Sequence, residues 1–130
     1  MKLKSLLKKS GYLSISIKRL KTNHIQVKAE INSVKGVFLI DTGASNSCID
    51  LKLCDFYNIN YEKSAEKASS ATDQISNTMI SNKNQIKIGK WFKKNMTIVL
   101  FDMTFINKTL NEQGSLEAFN FMVWWCWSWR

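Results

Sequence analysis

Between Val34 and Ile40 almost every residue is apolar, and the residue that follows is Asp41. A run this short and this apolar suits a strand buried on both faces better than a helix, which needs more length. An ionisable carboxylate placed directly after such a strand is costly unless nearby groups hydrogen-bond its charge. Thr42, Gly43, Ala44 and Ser45 can supply backbone N–H groups and hydroxyls, and Gly43 lets the chain turn tightly enough to bring them close. The segment therefore predicts a strand that delivers one acid into a polar turn.

The flanking sequence predicts more strands. Tyr12 to Lys18 alternates apolar and polar residues at period two, and so does His24 to Ile31, with Ile25, Val27, Ala29 and Ile31 on one face. Asn32-Ser33 separates the second of these from Val34–Ile40 and has the composition of a turn. Leu51, Leu53, Cys54, Phe56 and Tyr57 are spaced for one or two helical turns. Ser64 to Asn84 holds few apolar anchors, as expected of a long loop or of a hairpin exposed on both sides. Strand signals resume at Gln85–Ile88 and Met96–Phe101 around a turn at Gly89, and Phe105–Leu110 fits a short helix. At 130 residues, with no repeat and no linker, the chain predicts one mostly β domain. Its expected bounds are residues 12–117, after a basic segment (1–11) and before a tryptophan-rich tail (118–130).

The net charge of +9 invites a nucleic-acid reading, and Tyr12, Lys18, Arg19, Lys21 and His24 could form a basic surface. Many lysines, however, alternate with apolar residues, as in Ile15-Ser16-Ile17-Lys18 and Gln85-Ile86-Lys87-Ile88. That pattern suits the solvent face of strands and discourages edge-to-edge pairing, so no specific nucleic-acid partner is expected. Cys48, Cys54 and Cys126 are odd in number and form no CxxC pair, which gives neither a disulfide framework nor a zinc site. His24, the only histidine, reads as a strand residue, and Trp91 as core or interface packing. No apolar run has transmembrane or signal-peptide length. The expectation is a cytoplasmic protein with no metal, no cofactor and no membrane partner.

The segment Phe38-Leu39-Ile40-Asp41-Thr42-Gly43-Ala44-Ser45 resembles the fingerprint of the retropepsin-like aspartic proteases: apolar residues, then Asp-Thr/Ser-Gly-Ala-Ser. The resemblance extends over roughly residues 12–103. It implies a mostly β, single-domain closed barrel with a flap hairpin and one or two short helices, hydrolysing peptide bonds without a cofactor. Asp41 would be the catalytic aspartate. Thr42 would hydrogen-bond across a dimer, Gly43 would form the tight turn, and Ser45, beside Ala44, would orient the carboxylate. The flap would lie within Ser64–Asn84. Such chemistry needs two carboxylates, and Asp50, Asp55, Asp73 and Asp102 lack the strand-then-glycine context, so a homodimer would supply the second Asp41. Two other readings are weighed. Residues 40–48 are similar to the phosphate loop of actin-like ATPases, but the chain is far too short for that two-lobed fold. An inactive, truncated relative that binds peptides is the other.

The C-terminal part departs from the family pattern. There a later strand ends in two apolar residues and a glycine, beneath the catalytic loop. Here Gly89 follows Lys87-Ile88 and Gly114 follows Glu112-Gln113. Four of the five tryptophans fall in the last seven residues. Tryptophan is encoded by TGG and glycine codons begin GG, so a Gly- and Val-coding stretch read out of frame yields runs of Trp and Cys. The tail is expected to arise from a change of frame near Ala118, testable in the gene downstream of the Glu117 codon.

Overall fold

A computed structural model describes residues 2–41, 46–63, 68–69, 74–75 and 78–112 of the chain. A short helix, α1 (Leu3–Lys9), is followed by β1 (Lys18–Arg19), β2 (Ile25–Ile31), β3 (Val34–Ile40) and β4 (Ser47–Asp50). A 3-10 turn (Leu51–Leu53) then leads to β5 (Glu62–Lys63), β6 (Ala68–Ser69), β7 (Gln74–Ile75), β8 (Met79–Ile88), β9 (Trp91–Phe101) and α2 (Thr104–Glu112). This is the mostly β single domain that the alternating segments predict.

β2 and β3 form a hairpin in full register, from Ile25 opposite Ile40 to Ile31 opposite Val34. Its two turn residues, Asn32 and Ser33, both have positive φ, +49° and +69°, the backbone that matches the twist of a two-residue hairpin. Val27, Ala29 and Ile31 of β2 are buried, and so are the consecutive Phe38 and Leu39 of β3. The end of β3 is thus enclosed on both faces, as its composition predicts.

β8 and β9 are longer than the expected Gln85–Ile88 and Met96–Phe101, and two bulges explain why their pattern hides them. The register shifts by one residue between Ser81 and Asn84 and shifts back between Asn84 and Ile86. One extra residue lies in each strand, at the positive-φ positions Lys83 and Asn95. Each bulge reverses the inward phase, so that Ser81 and then Asn84, Ile86 and Ile88 are buried. A strict period-two reading fails across such a step. Gly89, with φ +55°, makes the two-residue turn between these strands.

The sheet runs β1-β2-β8-β9-β4, with β3 on β2 and β5 on β8. β3 holds one edge of β2 throughout, so β1 (at residues 25–26) and β8 (at 30–31) share the other. That leaves only Val27 to Ala29 between them, which is too little edge for a strand over Tyr12–Lys18. The expected strand is therefore reduced to β1. Ile15 still packs against the core, but Leu13 and Ile17 are exposed. Among the described strands no ladder joins β3 to β4, so the expected barrel is an open sheet over these residues.

The main core unites Val27, Ile31, Phe38, Ile49, Tyr57, Ile86, Ile88, Ile98 and Leu100. Val99, Phe101 and Met103 form a second cluster on the opposite face of β9, with Cys48 and Ile106 of α2 against it. The helical turns expected near residues 51–57 and 105–110 are found as the 3-10 turn and α2. The tail at 118–130, with Cys126, lies outside the described residues.

Candidate functional site

Asp41 is the first residue after β3. The strand anchors it from behind: Phe38 and Leu39 are buried, and Ile40, half-buried, is in register with Ile25. Asp41 itself is exposed. Thr42, Gly43, Ala44 and Ser45, the other expected site residues, lie outside the described residues. Beyond them Ser47 is buried, and β4 runs parallel to β9 from Ser47 opposite Ile98 to Asp50 opposite Phe101. Between Ile40 and Ser47 the chain therefore passes from the strand beside β2 to the strand beside β9, at opposite ends of the sheet. An acid at that crossing is carried by two strands, each fixed by its own ladder.

The other described aspartates serve different ends. Asp50 is buried, and its Oδ1 accepts hydrogen bonds from the backbone N–H of Lys52 (3.2 Å) and of Met103 (3.5 Å). It caps the 3-10 turn and ties that turn to the entry of α2. Asp102 accepts from the Thr104 backbone N–H (2.9 Å) and hydroxyl (2.5 Å) at the start of α2. Those two bonds, with the Lys52 ammonium 3.5 Å away, hold its carboxyl below the usual range. Asp55 is exposed in the turn after Leu53. Asp73 lies outside the described residues.

Two arrangements that the sequence does not announce hold the hairpin bearing Asp41 in place. Gly36 faces Tyr57 so closely that a Cβ there would lie 2.1 Å from the Tyr57 hydroxyl oxygen. The Tyr57 ring in turn stands 5.8 Å from that of Phe38, three residues before Asp41. At the other end of the hairpin, the Asn32 side-chain amide donates to the carbonyls of Tyr57 (3.0 Å) and Asn58 (3.2 Å) and to Asn84 Oδ1 (3.0 Å). Its own Oδ1 accepts from the Gln85 N–H at 2.9 Å. Buried Asn84 donates to Ser81 and to the Met96 carbonyl, and the Ser81 hydroxyl donates to the Asn60 carbonyl. A glycine inside a strand is the one available signal of the first contact. Nothing marks Asn84 as buried, because the bulges that turn it inward are themselves unmarked.

The stretch expected to hold a flap does contain a hairpin. β5 pairs with β8 through Glu62 opposite Ile80 and Lys63 opposite Met79. Further out β6 pairs with β7, Ala68 opposite Ile75 and Ser69 opposite Gln74. β5 and β8 belong to the main sheet and β6 and β7 to a two-stranded one, and residues 64–67 and 76–77 between the two ladders lie outside the described residues. Residues 70–73, which link β6 to β7, lie outside the described residues.

His24, just before β2, is half-buried with its Nδ1 2.7 Å from the Thr22 hydroxyl, a local contact. Trp91 packs against the main core, as expected. Burial raises the Cys48 thiol from its ordinary 9.0 to about 11. Cys54 reaches about 11 in the same way, with the Asp55 and Asp50 charges adding to the effect. Thiols held protonated in this way are poor nucleophiles near neutral pH. No helix among the described residues is long and apolar enough to cross a membrane.

The model of one protein family, the aspartyl proteases, matches residues 27–116. That span contains Asp41, the hairpin of β6 and β7 and both described clusters of the core. No curated protein sequence matches the chain. Among solved structures, it is similar to a retropepsin-like aspartic protease from Rickettsia conorii, at 20% identity and a TM-score of 0.44, over 69% of this chain and 74% of that one.

Proposed function

Because the chain belongs to the aspartyl protease family, we propose that it hydrolyses peptide bonds through Asp41, paired with Asp41 of a second copy. The observation that carries this reading is the place of Asp41: an exposed carboxylate on a buried strand, inside the span that matches the family. Of the other described aspartates, Asp50 and Asp102 serve as caps, and Asp55 follows a 3-10 turn and no apolar strand.

The chemistry follows from pairing like charges. Two carboxylates brought within a few ångströms of each other cannot both ionise, the arrangement established for aspartic proteases, so one keeps a proton that the other lacks. The ionised member takes a proton from a water, which attacks the carbonyl carbon of the peptide. The protonated member gives its proton to the carbonyl oxygen. Collapse of the resulting gem-diol, with a proton passed to the amide nitrogen, releases an amine and a carboxylic acid. In this reading Thr42 braces the two copies beneath the acids. Gly43 forms the turn, and Ser45, next to Ala44, holds the orientation of Asp41. The hairpin of β6 and β7 serves as the flap that closes over an extended peptide. Residues 12–117 are the catalytic domain, and 118–130 lie outside it.

The test is cleavage of a peptide library by the wild-type chain and by Asp41→Asn. The substitution is expected to reduce pepstatin-sensitive cleavage by about 10²–10⁴-fold, the usual contribution of acid–base catalysis. Because Asp41 is exposed, thermal unfolding should be little changed. Undiminished cleavage in Asp41→Asn would remove the assignment.

A further inference from the structure

α1 has no buried residue. Leu3, Leu6 and Leu7 lie on one face of the helix, spaced three and four residues apart, and are 70%, 51% and 38% exposed. Lys4 and Lys8 flank this face on one side, and Lys2 and Lys9 on the other. Tyr12 and Leu13, just past the helix, are also exposed. The surrounding charge is one-sided: residues 1–29 carry seven lysines and one arginine, and no acid precedes Glu30. Water is a poor environment for so much apolar side chain, and no described residue buries it.

We propose that α1 and the residues up to Leu13 form a docking surface for an anionic lipid bilayer. The helix would lie in the headgroup plane, with its leucines at the acyl boundary and its lysines among lipid phosphates and carboxylates. A helix of seven residues is about 10 Å long, enough to lie on a bilayer and far too short to cross one. Two other partners fit less well. A second copy would bring one lysine-rich, acid-free segment against another. A nucleic acid would satisfy the lysines but would leave the leucines in water. This surface does not depend on the peptidase reading, since it uses neither Asp41 nor the hairpin of β6 and β7.

The experiment is co-sedimentation of the full chain with vesicles of phosphatidylcholine, with and without one third phosphatidylserine, at about 0.1 M salt. Sedimentation with the phosphatidylserine vesicles alone is expected, and it should decline as salt is raised. Each lysine near an anionic surface contributes about fivefold in affinity, so Lys4→Gln with Lys8→Gln should weaken binding roughly 30-fold. Leu6→Ser with Leu7→Ser, both at exposed positions, should weaken it by at least about tenfold while leaving the charge unchanged. No sedimentation with either vesicle would overturn the proposal. Equal sedimentation with both would also overturn it, as would full binding by the leucine variant. Tighter binding to a single-stranded oligonucleotide, indifferent to the leucine variant, would reassign the surface to nucleic acid.

Discussion

A methyl group at Gly36 would meet the Tyr57 hydroxyl at 2.1 Å and a ring carbon of Phe38 at 2.8 Å. Gly36→Ala therefore displaces the aromatic pair behind the strand that carries Asp41, at a cost of about 1–3 kcal/mol in chemical denaturation. Tyr57→Phe in the same chain removes the nearer obstacle and should recover part of that loss; strictly additive effects would show that the two residues do not share the space. The thiols give a second test at this scale. Cys48 and Cys54 stay protonated in the fold to about 11, whereas the unfolded chain ionises them near 9.0. Stability from this source is intact below pH 9 and declines as pH rises from 9 towards 11, because the unfolded state then loses protons that the fold retains. A variant with both cysteines changed to alanine should show a smaller decline over that window; an equal decline would count against the thiols. Asp41 was legible as a candidate because an acid after an apolar strand is a local pattern. The Gly36–Tyr57 contact was not, because its partners belong to different elements and only the fold brings them together.

β8 and β9 depend on two bulges that cancel, and Asn84 sits between them. Its amide joins Asn32 of the β2–β3 turn to Ser81 and to the Met96 carbonyl. Asn84→Leu would take a donor from the Ser81 and Met96 carbonyls and one of three acceptors from the Asn32 amide, at a position only 2% exposed. A loss of about 2–3 kcal/mol is expected from buried polar groups that lose a partner, measured by urea unfolding. A neutral result would mean that these strands are held by their ladders alone. The same region sets the limit of what the sequence discloses about elements. The β2–β3 hairpin was readable almost to the residue, since the alternation before Asn32-Ser33 and the apolar run after it agree with that turn. β8 and β9 were readable only beyond the bulges, at their constant-phase ends. Tyr12–Ile17 has the alternation of a strand but no edge to join, because β8 occupies the part of β2 it would need. Alternation records which side chains seek burial, and the topology decides whether there is room. α1 was missed for the opposite reason: its lysines mask a leucine spacing that no core uses.

At the scale of the whole molecule, the proposed reaction needs two carboxylates, of which one chain would supply Asp41. Asp41, exposed just after β3, is where the proposed second copy would bring its own acid. The most direct measurement of paired catalysis is a mixing experiment. Wild-type chain is held at constant concentration and Asp41→Asn is added in increasing excess, with peptide cleavage as the readout and chain association followed in parallel by analytical ultracentrifugation. If each active unit needs an Asp41 from both copies, the variant draws wild-type chains into mixed dimers and cleavage falls towards zero as its excess grows. If mixed dimers form and cleavage per wild-type chain is unchanged, one Asp41 suffices, and the paired site is contradicted.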